Sequence, residues 1–392
     1  MQQNIFQAKY KKIKYIPNIM LAVIINVILK YVYKKKNIVL VGGHAGEKYQ
    51  DNSAAIHQYL LEEKKNITLC WMTHHSLNKS NLNINGEVIK LGSIKNYLFY
   101  LNAKTCYFSH SLSTDIAPII DKLLPHKYKP IRVHLSHGIE GLKKNLNLEH
   151  IEDVDFYICS SNQEKVIKKE EWGLEEKKLI VTGVPRYDEL YNHLGKTSKN
   201  TILYAPTWRE WLYLSGEEEF FNTEFCINLV NLISDKYLND ILHRKGFRLE
   251  IVLHPFMHNK LSIIKKQVGS LSNINIMSDK VDVGKKIRES ALLITDYSSI
   301  CWDFLYLDKS VIFYQFDQTK YLLERGSYID LNSSLFGEVV LTKDKLIECI
   351  EKQLFSESYE KKYRNYKAYK EKYFAFFDNK NCKRVVEATL NV

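Results

Sequence analysis

The chain of 392 residues lacks any pair of closely spaced cysteines. Its seven cysteines are an odd number and are scattered singly, with no Cys-x-x-Cys spacing. This pattern argues against a disulfide framework or a zinc site and indicates reduced thiols in a cytoplasmic setting. A content of 45% hydrophobic and 26% charged residues is typical of a globular protein, and the length predicts two domains of ordinary size.

Acidic residues are absent from the first 36 positions, which contain eight lysines. These lysines carry +8 of the net charge of +11, so the remaining 356 residues carry only +3. Binding to a nucleic-acid backbone needs lysine and arginine distributed over the folded surface. The nearly neutral body therefore argues against nucleic acid as a partner.

A long hydrophobic run is also missing. The apolar stretch 19–29 is flanked by lysines and is shorter than the roughly 20 residues that span a bilayer. No small-residue cleavage site follows it, as a signal peptide would require. We expect residues 1–36 to form a basic, apolar helix on the cytoplasmic face of the cell membrane, with its lysines on anionic headgroups. An ordinary buried helix with a solvated basic flank is the alternative.

Apolar runs alternate with helical patterns in two groups, and this alternation predicts α/β domains with parallel sheets wrapped by helices. The predicted strands of the first group are 37–42, 67–72, 106–109, 131–135, 156–159 and 180–182, with a helix at 51–65. Those of the second group are 201–205, 247–253, 274–277, 291–294 and 311–314, with helices at 224–244 and after 341. The polar stretch 192–200 separates the groups, so we predict domains at 37–190 and 191–392. Ligands of such sheets bind beyond the carboxyl ends of the strands, here in a cleft between the domains.

The turn Asp296-Tyr-Ser-Ser299 follows one predicted strand and begins a helix. Backbone N–H groups at a helix start, together with the hydroxyls of Ser298 and Ser299, suit a phosphate group. The turn lacks the glycines of a P-loop or a dinucleotide-binding fingerprint. The two serines are equally consistent with simple capping of the helix.

Four more polar motifs follow predicted strands. They are His137-Gly-Ile-Glu-Gly-Leu-Lys-Lys144, Gly183-Val-Pro-Arg-Tyr-Asp188, Pro206-Thr-Trp-Arg-Glu210 and His254-Pro-Phe256. Taken singly, each is consistent with a turn, a salt-bridged loop or a piece of core. Taken together, at corresponding positions on successive strands, they predict a cationic site rich in hydrogen-bond donors that suits a diphosphate.

These motifs resemble those of the CDP-glycerol glycerophosphotransferases, a family that acts in the synthesis of teichoic acids and related surface polymers. Members carry His-Gly-Thr-Pro-Leu-Lys, Gly-x-Pro-Arg-x-Asp, Tyr-Ala-Pro-Thr-Trp-Arg, Leu-His-Pro and Asp-Tyr-Ser-Ser motifs, the last followed by a helix aspartate. The corresponding segments here are His137–Lys143, Gly183–Asp188, Tyr204–Arg209, Leu253–Pro255, and Asp296–Ser299 with Asp303. Motif order and spacing match from about residue 40 to 340, and Arg325–Asp330 and Gly46–Ser53 are also similar.

The resemblance implies a GT-B-like fold with two Rossmann-like domains facing a central cleft. It also implies transfer of an alditol phosphate from a CDP donor, with release of CMP. We expect no cofactor and no catalytic metal. The donor-binding residues would be Arg186, Pro206, Thr207, Arg209, His254, Asp296, Ser298, Ser299 and Asp303. Gly138, Lys143 and Lys144 would lie on the acceptor side, in the N-terminal domain.

Elementary chemistry agrees with such a transfer. A hydroxyl attacks phosphorus only with the help of a base, and histidine is the side chain best matched to neutral pH. We therefore predict His137 as the base and His254 as a second catalytic residue that stabilises charge on the diphosphate. Asp303 either holds a hydroxyl of the donor or is an ordinary aspartate on a surface helix.

One motif departs from the family pattern. Residues Ile139-Glu-Gly-Leu142 replace Thr-Pro-Leu, and the loop is one residue longer, so either Lys143 or Lys144 can occupy the lysine position. Asp153-Val-Asp155 matches the short metal-binding pattern of some sugar transferases, but it precedes an apolar strand, and we expect no metal there.

The sequence thus predicts a transferase that moves glycerol phosphate from CDP-glycerol to a hydroxyl of a membrane-linked surface glycan. Transfer of ribitol phosphate from CDP-ribitol is one alternative. A glycosyltransferase that uses a nucleotide sugar is another, because its donor also carries a diphosphate.

Overall fold

A computed structural model of the chain describes residues 13–29, 37–64, 66–74, 76–77, 79–82, 84–196, 198–261, 264–265, 271–278, 281–355 and 360–390. The chain divides into two compact units. The first comprises Met1–Ile139, Asn147–Glu189 and Tyr373–Val392, and the second comprises Glu140–Leu146 and Leu190–Lys372. The predicted cleft between two domains stays a prediction.

The first unit contains a parallel sheet of seven strands in the order β3-β2-β1-β4-β5-β6-β7. Its strands are β1 Ile38–Gly42, β2 Thr68–Thr73, β3 Glu87–Lys90, β4 Ala103–Phe108, β5 Ile131–His134, β6 Phe156–Cys159 and β7 Leu179–Val181. Its helices are α1 Ile16–Leu29, α2 Asp51–Glu63, α3 Lys79–Leu82, α4 Ile94–Asn102, α5 Leu112–Asp115, α6 Ile120–Leu123 and α7 Asn162–Glu170, and α8 Tyr187–Tyr191 leads into the second unit. Short 3-10 turns occur at His44–Gly46, His126–Tyr128, Leu148–His150 and Glu176–Lys178.

Strand β1 shows why this sheet is buried on both faces. All five of its residues are buried. Ile38 and Leu40 belong to one apolar cluster, while Val39 and Val41 belong to another on the opposite face, as the two-residue period of a strand requires. Continuous apolar strands of this kind are typical of parallel sheets covered by helices on each side.

The second unit contains a parallel sheet of six strands in the order β10-β9-β8-β11-β12-β13. Its strands are β8 Lys199–Tyr204, β9 Arg248–Ile251, β10 Ile274–Ile276, β11 Ser290–Thr295, β12 Ser310–Tyr314 and β13 Glu338–Val340. Its helices are α9 Glu217–Phe221, α10 Glu224–Ile233, α11 Lys236–Lys245, α12 Val283–Glu289, α13 Ile300–Tyr306, α14 Gln318–Glu324, α15 Lys343–Phe355 and α16 Glu360–Tyr373, with 3-10 turns at Glu210–Leu212 and Pro255–Lys260. The prediction of two parallel α/β sheets is confirmed.

The single helix predicted at 224–244 was wrong. The segment forms two helices, α10 and α11, which are separated at Ser234 and Asp235. The Asp235 carboxylate accepts a hydrogen bond from the Leu238 amide at 2.9 Å and so begins a new helix. Aspartate at such a position offers the backbone an alternative to continuing the previous helix.

The C-terminal helix α17, Asn381–Thr389, belongs to the first unit, although the predicted domain 191–392 placed it in the second. Its Val385 and Val386 are fully buried in the cluster that contains Val39 and Val41. Its first turn is fixed by Asp188, whose carboxylate accepts hydrogen bonds from the backbone amides of Asn381 and Cys382. Apolar contacts with the first sheet thus place α17 in the first unit, although it follows the second unit along the chain.

Helix α1 packs one face on the first unit and exposes the other. Ile19 and Ala22 are buried against the unit, and the Asn18 side-chain amide donates to the Gly92 carbonyl at 2.9 Å. Met20, Ile24, Val27 and Ile28 are between 55% and 64% exposed. Within the described residues, no helix combines the length and the apolar character needed to cross a membrane.

Candidate active site

Three histidines gather at the carboxyl ends of neighbouring strands in the first unit. His44 follows β1, His110 follows β4 and His137 follows β5, and these strands are adjacent in the sheet. The ring centroid of His110 lies 4.7 Å from that of His44 and 4.5 Å from that of His137. In the described part of the chain, no histidine, cysteine and carboxylate groups are arranged as ligands of a metal ion.

Asp51, the first residue of α2, links His137 to Arg186. Its Oδ2 atom lies 3.5 Å from His137 Nδ1, and its Oδ1 atom lies 3.1 Å from Arg186 Nη1. Burial alone would raise the pKa of Asp51, but Arg186 and His137 outweigh it and hold that pKa below its usual range. The His137 side chain is 55% exposed, so its ring is accessible to a substrate while one nitrogen faces a fixed carboxylate.

The backbone that carries His137 is strained and firmly held. Ser136 has a φ of +63°, and its carbonyl accepts a hydrogen bond from the Asn52 side chain at 2.9 Å. Its hydroxyl accepts a bond of 2.7 Å from the Lys168 ammonium, which is fully buried and also pairs with Glu164 at 3.0 Å. Strained residues at a site persist because such contacts over-determine them.

The two neighbouring histidines have opposite electrostatic environments. Burial lowers the pKa of His44 to about 4, so this ring is neutral near pH 7. Burial also opposes protonation of His110, but the Asp115 carboxylate, 3.3 Å from its Nδ1 atom, outweighs it and raises the pKa of His110. The prediction missed His44, His110 and Asp115, although the two histidines follow strands as the predicted residues do.

The predicted donor residues Arg209 and Asp296 are buried in the second unit. Arg209 is 0% exposed and donates two hydrogen bonds to the Asp317 carboxylate, at 2.7 and 2.9 Å. Its Nη2 atom lies 2.9 Å from Asp296 Oδ2, and its Nη1 atom donates to the Thr207 carbonyl. Asp296 Oδ1 accepts from the amides of Thr207 and Tyr297. These contacts hold the loops after β8 and β11, and the preceding Pro206 is buried as well.

The two serines of the turn after β11 are half-buried. Ser299 occupies the position before helix α13, but its hydroxyl makes no capping hydrogen bond, and the Ser298 hydroxyl accepts only a long bond of 3.5 Å from the Ile300 amide. Capping is therefore a weak explanation for this pair. Asp303 is 3% exposed, so the alternative of an ordinary surface-helix aspartate was wrong.

His254 follows β9 and is oriented by its surroundings. Its Nδ1 atom accepts a hydrogen bond from the Phe256 amide at 3.3 Å, which places the proton of the neutral ring on Nε2. The ring stacks on Trp208 with a centroid distance of 5.7 Å and an interplanar angle of 19°. His254 is thus held as an Nε2–H donor.

The acceptor-side residues are divided between the two units. Gly138 lies in the first unit, but Lys143 and Lys144 lie in the segment Glu140–Leu146 of the second. The Lys144 amide donates to the Gly326 carbonyl at 3.1 Å, and its ammonium lies 5.8 Å from the Tyr328 ring centroid. Lys143 instead lines a cavity of about 220 Å³ with Thr207, Trp208 and Arg325. The predicted placement of both lysines in the N-terminal domain was wrong, because backbone hydrogen bonds fasten this segment to the second unit.

The aspartates of the possible metal-binding pattern have cationic partners. Asp155 Oδ2 accepts from Arg132 Nε at 3.0 Å, and Asp153 Oδ1 accepts from the Lys178 ammonium at 2.6 Å. Arg132 is buried in β5, and its partner Asp155 directly precedes the neighbouring strand β6.

The family model for CDP-Glycerol:Poly(glycerophosphate) glycerophosphotransferase matches residues 23–391. With its strand-end motifs in two parallel α/β sheets, the chain belongs to this family. The teichoic acid glycerol-phosphate transferase of Staphylococcus aureus is 24% identical over 348 residues, which cover 80% of this chain and 83% of that protein. The teichoic acid poly(glycerol phosphate) polymerase of Bacillus spizizenii is 24% identical over 357 residues, which cover 81% and 84%.

Some relatives are much longer. The teichoic acid ribitol-phosphate polymerase TarL of Staphylococcus aureus is 26% identical over 254 residues, which cover 61% of this chain but 42% of TarL. Among solved structures, the wall teichoic acid polymerase TagF has a TM-score of 0.69 at 19% identity, with 99% of this chain and 97% of TagF covered. At this identity the likeness establishes the fold alone, which agrees with the predicted GT-B-like class.

Proposed function

We propose that the chain transfers glycerol phosphate from CDP-glycerol to a hydroxyl of a membrane-linked surface glycan or teichoic-acid-type acceptor and releases CMP. The observation that carries the proposal is the exposed His137 ring, with its Nδ1 atom 3.5 Å from the buried Asp51 carboxylate. The activities for which the relatives are named, glycerol-phosphate transfer and poly(glycerol phosphate) polymerisation, support the same reaction class.

His137 would act as the general base. Its Nδ1 atom faces Asp51, so Nε2 is the nitrogen that takes the proton of the acceptor hydroxyl. The acceptor oxygen then forms a bond to the phosphorus of the glycerol phosphate, the bond from that phosphorus to the CMP oxygen breaks, and CMP leaves. The negative charge of Asp51 stabilises the imidazolium that forms.

The donor residues divide into two roles. His254, Ser298, Ser299 and Thr207 would donate hydrogen bonds to the diphosphate, and Asp303 would hold a hydroxyl of the donor. Arg209 and Asp296 would position these groups, because the Arg209 guanidinium is occupied by Asp317, Asp296 and the Thr207 carbonyl. Arg186, predicted as a donor ligand, would position Asp51, with which it pairs at 3.1 Å.

A donor panel tests the reaction class. The protein is incubated with a lipid-linked glycan acceptor and, in separate reactions, CDP-glycerol, CDP-ribitol or UDP-sugars, and the released nucleotide is quantified. We expect CMP release from CDP-glycerol to exceed nucleotide release from the other donors at least tenfold. Preferred turnover of CDP-ribitol would reassign the alditol, and turnover of a UDP-sugar alone would show a glycosyltransferase instead.

Membrane contact is the second part of the proposal. The exposed side chains of Met20, Ile24, Val27 and Ile28 are spaced along one face of α1, which suits insertion at the level of the headgroups. Most of the predicted headgroup-binding lysines, at positions 9, 11, 12, 30 and 34–36, lie outside the described residues. We infer that α1 holds the enzyme at the cytoplasmic face of the cell membrane as a peripheral protein.

Flotation with anionic phospholipid vesicles tests this contact. We expect Ile24→Gln combined with Ile28→Gln to reduce the vesicle-bound fraction at least tenfold, because each buried isoleucine contributes roughly 1.5–3 kcal/mol. Leu323→Gln, which removes an 84% exposed leucine from the second unit, is the matched control and should float like the wild type. Equal flotation of all three proteins would contradict the assignment to α1.

A further inference from the structure

A cavity of about 220 Å³ in the second unit is built from three separate segments. The segment Glu140–Leu146 contributes Lys143, the loop after β8 contributes residues between Thr207 and Trp211, and the segment after α14 contributes Arg325. The cavity adjoins the serine turn, because Asp296 Oδ1 accepts hydrogen bonds from the amides of both Thr207 and Tyr297.

The segment Glu140–Leu146 is fastened so that only one of its two lysines reaches the cavity. The Gly141 carbonyl accepts hydrogen bonds from the Tyr328 amide at 3.0 Å and from the Ser327 hydroxyl at 3.3 Å. A Cβ atom on Gly141 would lie 3.1 Å from the Trp302 ring, so this glycine allows close packing on helix α13, which follows the serines. With the segment held in this way, Lys143 lies at the cavity and Lys144 lies beside Tyr328.

Thr207 provides an independent sign of a ligand. The residue is 6% exposed and its amide is bonded to Asp296, yet its hydroxyl is buried without a hydrogen-bond partner. Buried hydroxyls are nearly always bonded, so this one indicates a group that binds at the cavity wall. Arg325, on the opposite segment, pairs with Glu210 through its Nη1 atom, while its Nε–H group is buried without a hydrogen-bond partner.

The lining combines two cations with two carboxylates, a set that suits a ligand with both an anionic group and hydroxyls. Lys143 and Arg325 bring two cations, and burial lowers the pKa of Lys143, as expected of an ammonium group that lacks water. Glu210 and Glu324 bring carboxylates, which accept hydrogen bonds from hydroxyl groups. The rings of Trp208 and Trp211 offer flat apolar walls for C–H groups.

We propose that this cavity binds the polyol phosphate portion of the donor, the part that is transferred. Lys143, the Arg325 Nε–H group and the Thr207 hydroxyl hold the oxygens of its phosphate. Glu324, together with the Glu210 carboxylate that pairs with Arg325, accepts hydrogen bonds from its polyol hydroxyls. The inference rests on the proposed function, and it moves Lys143 from the acceptor side to the donor. It also makes the cavity the place where glycerol and ribitol donors are distinguished.

Calorimetric titration with CDP-glycerol and with CMP tests the assignment, because CMP lacks the transferred group. We expect Lys143→Met to weaken CDP-glycerol binding roughly ten- to a hundredfold, the range for loss of a hydrogen bond to a charged group. CMP affinity should stay within twofold of the wild type. Lys144→Met, the matched control, should leave the affinity for both nucleotides within twofold.

Thr207→Val replaces the hydroxyl with a methyl group of similar volume, so it tests the cavity even if Lys143→Met fails to fold. We expect it to weaken CDP-glycerol binding about fivefold and to leave CMP binding unchanged. If these variants bind CDP-glycerol and CMP with equally weakened affinity, or bind both as tightly as the wild type does, the inference is overturned while the proposed function stays intact. If the wild type binds neither nucleotide, the proposed function fails and the inference fails with it.

Discussion

Replacing His137 with alanine is expected to lower the rate of CMP release from CDP-glycerol by about 10²- to 10⁴-fold, the usual contribution of a general base. The affinity for CDP-glycerol should stay near that of the wild type, because His137 would act on the acceptor. His126→Ala is the matched control, since the His126 side chain is 73% exposed and lies in the same unit outside the proposed site. A His137→Ala enzyme within threefold of wild-type activity would remove His137 from the mechanism.

Asp51→Asn separates the geometry of this site from its charge. Asp51 has a φ of +66°, a backbone conformation that asparagine adopts as readily as aspartate, so the turn should be retained. The neutral amide stabilises an imidazolium less than a carboxylate does, because hydrogen bonds in which the acceptor is also charged are stronger. We expect a loss of about tenfold in turnover, which corresponds to roughly 1.4 kcal/mol, with unchanged donor affinity. An unaffected turnover would show that Asp51 has only a structural role.

The sequence predicted the parts of the fold that depend on local pattern. Apolar runs such as 37–42 and 291–294 became central strands β1 and β11, because a strand buried on both faces has to be apolar along its length. Strands β3 and β13 were missed. Each is a short edge strand with few buried residues, so its pattern differs little from that of a loop.

In the candidate site, the sequence predicted residues that stand in a motif after a strand. It missed placements and partners that depend on contacts between residues far apart in the sequence. Lys143 follows a strand of the first sheet, yet hydrogen bonds to Gly326 and Tyr328 hold its segment in the second unit. Arg209 was predicted to bind the donor because it stands in a donor motif. Its partner Asp317 is 108 residues further along the chain, and no local pattern reveals that pair.

Arg209→Met is expected to destabilise the second unit by about 3–5 kcal/mol, the usual consequence of removing one partner from a buried ion pair. Arg209 is 0% exposed, and its guanidinium bonds both oxygens of Asp317 while contacting Asp296 at 2.9 Å. Methionine fills a similar volume but leaves two buried carboxylates without a cation. For a unit of this size the melting temperature should fall by roughly 6–20 °C.

Two further variants identify the cause of this loss. Arg244→Met removes an arginine whose side chain is 54% exposed, and its effect on the melting temperature should be small because exposed ion pairs contribute little. Adding Asp317→Asn to Arg209→Met removes one of the two stranded charges, so the double variant should melt at a higher temperature than Arg209→Met alone. If it melts lower, packing rather than uncompensated charge is the cause. In that case the apolar rings around Arg209, rather than its charge, would hold the Asp296 turn in position. The folded fraction of Arg209→Met should then still bind the donor.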